Sequence, residues 1–288
     1  MPIIDYFNYR LTENQKIDIM NMYDNIQTYD YYDLFDTDMS FNTMYTIRDR
    51  KKYSLLKPKH INYIKSTVIS SDKTKIYKMY IFQNNNRYTD YLILNSLIGT
   101  YFQTIFKEYL THNNITEFTV PEIYRYGLIN LESNNEIICF SEMKYYESTG
   151  MDELHTELDK QQTPKQKLEK IYDYLDNFKS IVLVIQNIES QLQIYHNDMV
   201  YDKSLTQIQD KLTTIKTNID CIDNFDDPNS QTSFLDGIID NSWSNTHTYV
   251  IHNLFRSNNK YILIDFEDSS YINDPSQRKR INDVFSAV

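Results

Sequence analysis

A chain of 288 residues with 41% hydrophobic content is long enough for one large two-lobed domain or two small ones, and it can fill a core of its own. Its formal net charge of −11 argues against a protein that holds nucleic acid by neutralising phosphates, because no basic excess exists to release counterions. The two cysteines, Cys139 and Cys221, argue against a disulfide framework or a zinc site and fit a reducing cytosol, and no stretch approaches the ~20 apolar residues of a membrane span.

Residues 1–55 are acidic and rich in tyrosine, as in Asp30-Tyr31-Tyr32-Asp33, and read as an extension ahead of the folded body. From His60 the texture changes. Short β-type runs at 61–64 and 66–69, a polar turn at Ser70-Ser71-Asp72-Lys73 and a third run at 76–82 predict a strand meander. Lys65, Lys73, Lys75 and Lys78 make it locally basic, which suits a polyphosphate ligand or a solvated strand face alike. Tyr91, Leu94, Leu97, Ile98, Tyr101 and Ile105 then recur at three- and four-residue steps and predict an amphipathic helix with Thr89 as its cap. Residues 118–127 read as an irregular strand and 136–143 as a buried one, which completes a five-stranded lobe. Gly150 and the polar stretch up to Thr163-Pro164 mark a boundary, and a long helical tract runs from Lys165 to Leu192.

Two later segments carry candidate chemistry. Ile194-Tyr195-His196-Asn197-Asp198-Met199 follows the long helix at once, and Lys260-Tyr261-Ile262-Leu263-Ile264-Asp265-Phe266-Glu267-Asp268 comes much later. The first resembles the His-x-Asp catalytic loop of protein kinases, and the second resembles the strand leading into their Asp-Phe-Gly metal-binding turn. Phosphoryl transfer needs one carboxylate near the incoming hydroxyl and another on magnesium, both held on rigid turns. The resemblance implies that Asp198 is the catalytic carboxylate, that His196 braces its loop, that Asp265 binds magnesium and that Phe266 is the apolar wedge beside it. Without it, Asp198 caps a helix and Asp265 ends a strand as an ordinary turn former.

The same resemblance assigns Lys78, flanked by Ile76, Tyr77, Met79 and Tyr80, as the strand lysine that reaches the phosphates of ATP. Asp90 takes the place of the helix glutamate that steadies this lysine, or is simply a first-turn carboxylate favoured by the helix dipole. Glu142 and Met143 fall at the hinge, where main-chain groups meet an adenine ring. The sequence also departs from the family. None of its four glycines precedes Lys78, so Ser66 and Thr67, or Ser70 and Ser71, are left to meet the phosphates. Lys203 stands five residues after Asp198, where the family has a magnesium-binding asparagine. Asn253, twelve residues before Asp265, takes that role in preference to Asp202, which makes about 199–252 an insertion. Leu205, Ile208, Leu212, Ile215 and Ile219 trace one helical face within the insertion, so part of it should dock on the body. Glu267 replaces the glycine of Asp-Phe-Gly, and the 23 residues after Asp265 are too few for a full activation segment.

Together these readings imply an α+β, two-lobed protein-kinase-like fold. Its parts are the extension at 1–55, a small β-rich lobe at 56–146, and a reduced, mostly helical lobe at 147–288 that carries the insertion. The chain most resembles the divergent serine/threonine kinases of large DNA viruses, an origin that its tyrosine- and asparagine-rich composition also suggests. That resemblance implies phosphotransfer from ATP, with magnesium, to a protein substrate in the host cytoplasm or the virion. Two other functions compete with it: a pseudokinase-like module that binds a protein partner, and a virion interaction protein whose aspartate turns are coincidental.

Overall fold

The computed structural model describes Ile4, Phe7, Leu34 and residues 10–30, 46–49, 52–53, 61–70, 72–84, 89–131, 135–161, 163–195, 201–222, 254–266 and 270–271. Among these residues are five helices and twelve strands, a mixed helix and sheet architecture built on one large, mainly antiparallel sheet. Strands β4 (Ile61–Ile69) and β5 (Lys75–Gln83) form its central hairpin. The turn between them closes on itself, because Asp72 accepts hydrogen bonds from the Ser70 hydroxyl and from the amide and hydroxyl of Thr74. Those bonds, the one from Ser70 first, lower the Asp72 pKa to about 2.

Beyond β5 lie β8 (Glu136–Lys144) and β7 (Ile123–Leu131), each antiparallel to its neighbour. Strand β8 is buried from Ile137 to Met143 because both faces of the sheet are covered. Helix α2 (Thr89–His112) lies over one face, where Ile137, Cys139, Tyr80 and Phe82 meet Leu94, Leu97, Ile98 and Phe102. On the other face Val68, Tyr77, Met79, Ile138 and Phe140 form a smaller apolar cluster. Burial on both sides is why this strand reads as a continuous hydrophobic run rather than an alternating one.

The meander differs from expectation at its start. The runs at 61–64 and 66–69 are one strand, and its outer partner comes from earlier residues, β2 (Thr46–Asp49) and β3 (Lys52–Tyr53). Both lie antiparallel to β4, with Thr46 opposite Val68 and Tyr53 opposite Ile61. Helix α1 (Glu13–Asp24) packs on α2, and β1 (Thr28–Tyr29) adds a parallel strand beside β7. Much of the segment read as an extension therefore belongs to the folded body.

Helices α3 (Gly150–Asp159), α4 (Pro164–Leu192) and α5 (Tyr201–Ile222) follow. The start of α4 is set by a capping box in which Thr163 and Gln166 exchange side-chain and backbone hydrogen bonds, with Pro164 as the first helical residue. The amphipathic face of α5 docks as its periodicity predicts. Ile208, Leu212 and Ile215 are buried against Leu168, Ile171 and Leu175 of α4 and Leu154 and Leu158 of α3.

Two small sheets complete the described chain. The hairpin β10 (Leu254–Ser257) and β11 (Lys260–Leu263) pairs through β11 with β6 (Phe118–Thr119), so the stretch 118–127 divides between two sheets at Pro121, which has no amide hydrogen to offer a ladder. Strand β9 (Ile194–Tyr195) is antiparallel to β12 (Ser270–Tyr271). One continuous core joins α2 to α4, β9, β10, β11 and Phe266. Among the described residues no helix is long and apolar enough to cross a membrane.

Candidate functional site

Alternation along β5 determines which residues reach the face under α2. Lys78 and Tyr80 point there with Ser141 and Met143 of β8, whereas Tyr77 and Met79 enter the cluster on the opposite face. Lys78, Tyr80, Ser141 and Met143 line a cleft with Ser96, Gly99, Thr100 and Gln103 of α2, Ile123 and Phe266. The cleft is polar where it meets the helix. The Thr100 and Ser141 hydroxyls are 2.9 Å apart, and Gln103 donates to the carbonyl of Pro121 at 2.9 Å.

Asp265 meets Lys78 beside this cleft. It follows β11 with φ of 66°, in the left-handed region that aspartate tolerates better than most residues. Its Oδ1 accepts a 2.7 Å bond from the Nζ of Lys78, 187 positions earlier in the chain, and the two side chains are 20% exposed at Lys78 and 27% exposed at Asp265. Phe266 anchors the turn: it is buried, and its ring centroid lies 5.4 Å from that of Phe106 on α2. Burying a side chain of this size contributes about 1.5–3 kcal/mol. That matches or exceeds the roughly 1–2 kcal/mol cost of a left-handed residue.

Several expected site residues face elsewhere. Asp90 does not pair with Lys78. Its Oδ1 accepts a 2.6 Å bond from the Tyr23 hydroxyl of α1, because Asp90 lies about one and two-thirds turns before Ser96 and so on a different side of α2. Glu142 is 2% exposed but points away from the cleft, since it alternates with Ser141 and Met143. Its carboxylate joins Lys75 of β5, at 2.8 Å, to the Arg125 guanidinium of β7. The bond to Glu142 raises the Lys75 pKa above its ordinary value. Ser66 is buried opposite Met79 and so also faces away, while Thr67 stands directly across from Lys78 on the same face. Of the expected hinge pair, only Met143 lines the cleft.

His196, Asp198, Asn253 and Glu267 lie outside the described residues. The β9–β12 ladder pairs Tyr195, the residue just before His196, with Ser270, five positions after Asp265. The sequence reading missed the polar side of α2. Ser96, Thr100 and Gln103 recur at helical spacing within an otherwise apolar helix and are all buried, a signal visible in the pattern itself. No protein-family model, curated protein or solved structure matches the chain.

Proposed function

We propose that this chain is an ATP- and magnesium-dependent phosphotransferase of two-lobed, protein-kinase-like form that acts on serine or threonine hydroxyls of proteins. The observation that carries the reading is the 2.7 Å contact between Lys78 and Asp265, which joins a lysine in the middle of the large sheet to an aspartate on the turn after β11. A second support is the element order of strands, helix and strands around Lys78. A third is the β9–β12 pairing of the chain just before His196 with the chain just after Asp265.

The residues suit the group they would hold. Magnesium takes one or two carboxylates and fills its remaining positions with phosphate oxygens and water, and Asp265 offers a carboxylate partly open to solvent. When bound, magnesium would neutralise charge that develops on the phosphate oxygens. Lys78 donates to Asp265 Oδ1, and in this reading its ammonium also meets phosphate, with Thr67 across the strand pair as a neighbour. Asn253 would share the metal with Asp265, His196 would brace the loop, and Asp198 would accept the proton of the incoming hydroxyl.

The test is a thermal-shift titration with ATP, with and without magnesium. Metal-dependent stabilisation that vanishes in Asp265→Ala supports the reading, and its absence in the unaltered protein refutes it. A second reading, a pseudokinase-like binding module, is favoured by one observation: none of the α2 residues lining the cleft is acidic. Radiolabel transfer to a generic protein substrate, lost in Asp198→Ala, separates enzyme from pseudokinase.

A further inference from the structure

We infer that Phe7 and the segment from Arg10 to Tyr29 are a brace that sets the position of α2 over the sheet, with Arg10 and Tyr23 as positioning residues for the cleft around Lys78. Only its effect on nucleotide binding rests on the function proposed above. The brace itself rests on contacts made at both of its ends.

At the first end the segment grips the outer side of α2. Arg10 Nη1 donates to Asn95 Oδ1 at 2.9 Å, and the rings of Phe7 and Tyr91 stack with centroids 4.9 Å apart. Two tyrosine–carboxylate bonds then cross between the helices in opposite directions. Tyr23 of α1 donates to Asp90 of α2 at 2.6 Å, and Tyr101 of α2 donates to Asp18 of α1 at 2.8 Å. Bonds to an ionised acceptor are shorter and stronger than neutral ones, so the crossed pair resists both sliding and rotation of α2.

At the second end the segment joins β7. Thr28 and Tyr29 pair with Leu128 and Ile129, and the Leu128 amide donates to the Gln27 carbonyl at 2.9 Å. The Tyr29 ring occupies the space above Gly127, where an added Cβ would come within 2.5 Å of it. The brace thus ties α2 to β7, and each of these elements contributes to the lining of the cleft, Ser96, Thr100 and Gln103 from α2 and Ile123 from β7. A shift of α2 would move its polar side away from Lys78 while leaving the sheet ladders intact.

The experiment compares the unaltered full chain with Arg10→Met/Tyr23→Phe, which keeps both side-chain volumes and removes two bonds to α2. Hydrogen exchange is followed in α2 and in β8, and Lys78 acylation by a water-soluble activated ester is followed by mass spectrometry. The expected result is about tenfold faster exchange in α2, unchanged exchange in β8, and faster Lys78 acylation, with Arg10→Lys in place of Arg10→Met restoring part of the protection. Unchanged exchange in α2, equal loss of protection in α2 and β8, or loosened α2 with unchanged Lys78 acylation would each overturn the brace. If ATP and magnesium fail to stabilise the unaltered chain, the phosphotransfer reading falls, and exchange and acylation still decide the brace.

Discussion

Replacing Lys78 with methionine removes its charge but keeps a side chain of similar length, and replacing Asp265 with asparagine keeps a residue that tolerates the left-handed backbone. With both single variants and the double variant, a mutant cycle isolates the coupling between the two groups. At 2.7 Å and an effective dielectric of about 20, the gross attraction is about 6 kcal/mol. Much of that is offset, because both groups lost part of their hydration on folding while remaining 20% and 27% exposed to screening water. The expected net coupling is about 1–2 kcal/mol, above the ~0.2–1 kcal/mol of exposed pairs. It lies below the roughly 3–5 kcal/mol cost of breaking a fully buried pair. Urea unfolding with an unchanged slope measures it, and the value should fall as salt is raised. A coupling under about 0.2 kcal/mol, below even the exposed-pair range, would refute this estimate, and the site built on the pair would be withdrawn.

Gly127→Ala is expected to dislodge Tyr29 and the Gln27 carbonyl, which approach the added carbon at 2.5 and 2.7 Å, and to destabilise the protein by about 1–3 kcal/mol. Chemical denaturation reads the loss, and a ΔΔG near zero would contradict the close packing of β1 on β7. Alkaline pH should weaken the brace. Burial first, and then the bonds to Asp90 and Asp18, raise the pKa of Tyr23 and Tyr101, so the unfolded chain loses these protons at lower pH than the folded one. Their stabilising contribution is complete below about pH 10 and declines as the pH rises beyond it. Tyr23→Phe/Tyr101→Phe should flatten that decline in a series of melts, and an equally steep decline in the double variant would refute this account.

The long elements were legible because their signal is local. Helix α2 follows from apolar residues at three- and four-residue steps, and α5 docks along the face that Ile208, Leu212 and Ile215 trace. The strand status of 46–49 and 52–53 was not legible. These residues show no clear alternation, and they form strands because β4 offers both of them a partner. The site was legible in part for the same reason. That Lys78 lies in a strand and Asp265 follows another could be read from neighbouring residues, but Asp90, assigned by its spacing in the family resemblance, and Glu142, assigned by order along the chain, found other partners.

The amino-acid sequence alone determined where the long helices and the strands next to Lys78 and Asp265 form, and the resemblance it carries singled out these two residues as candidates. Only the tertiary structure decided which polar and charged groups meet. Lys78 takes Asp265, Glu142 takes Lys75 and Arg125, and Tyr23 takes Asp90. Backbone propensity acts over a few residues, whereas an ion pair forms between whichever groups packing brings within a few ångströms, at whatever separation along the chain.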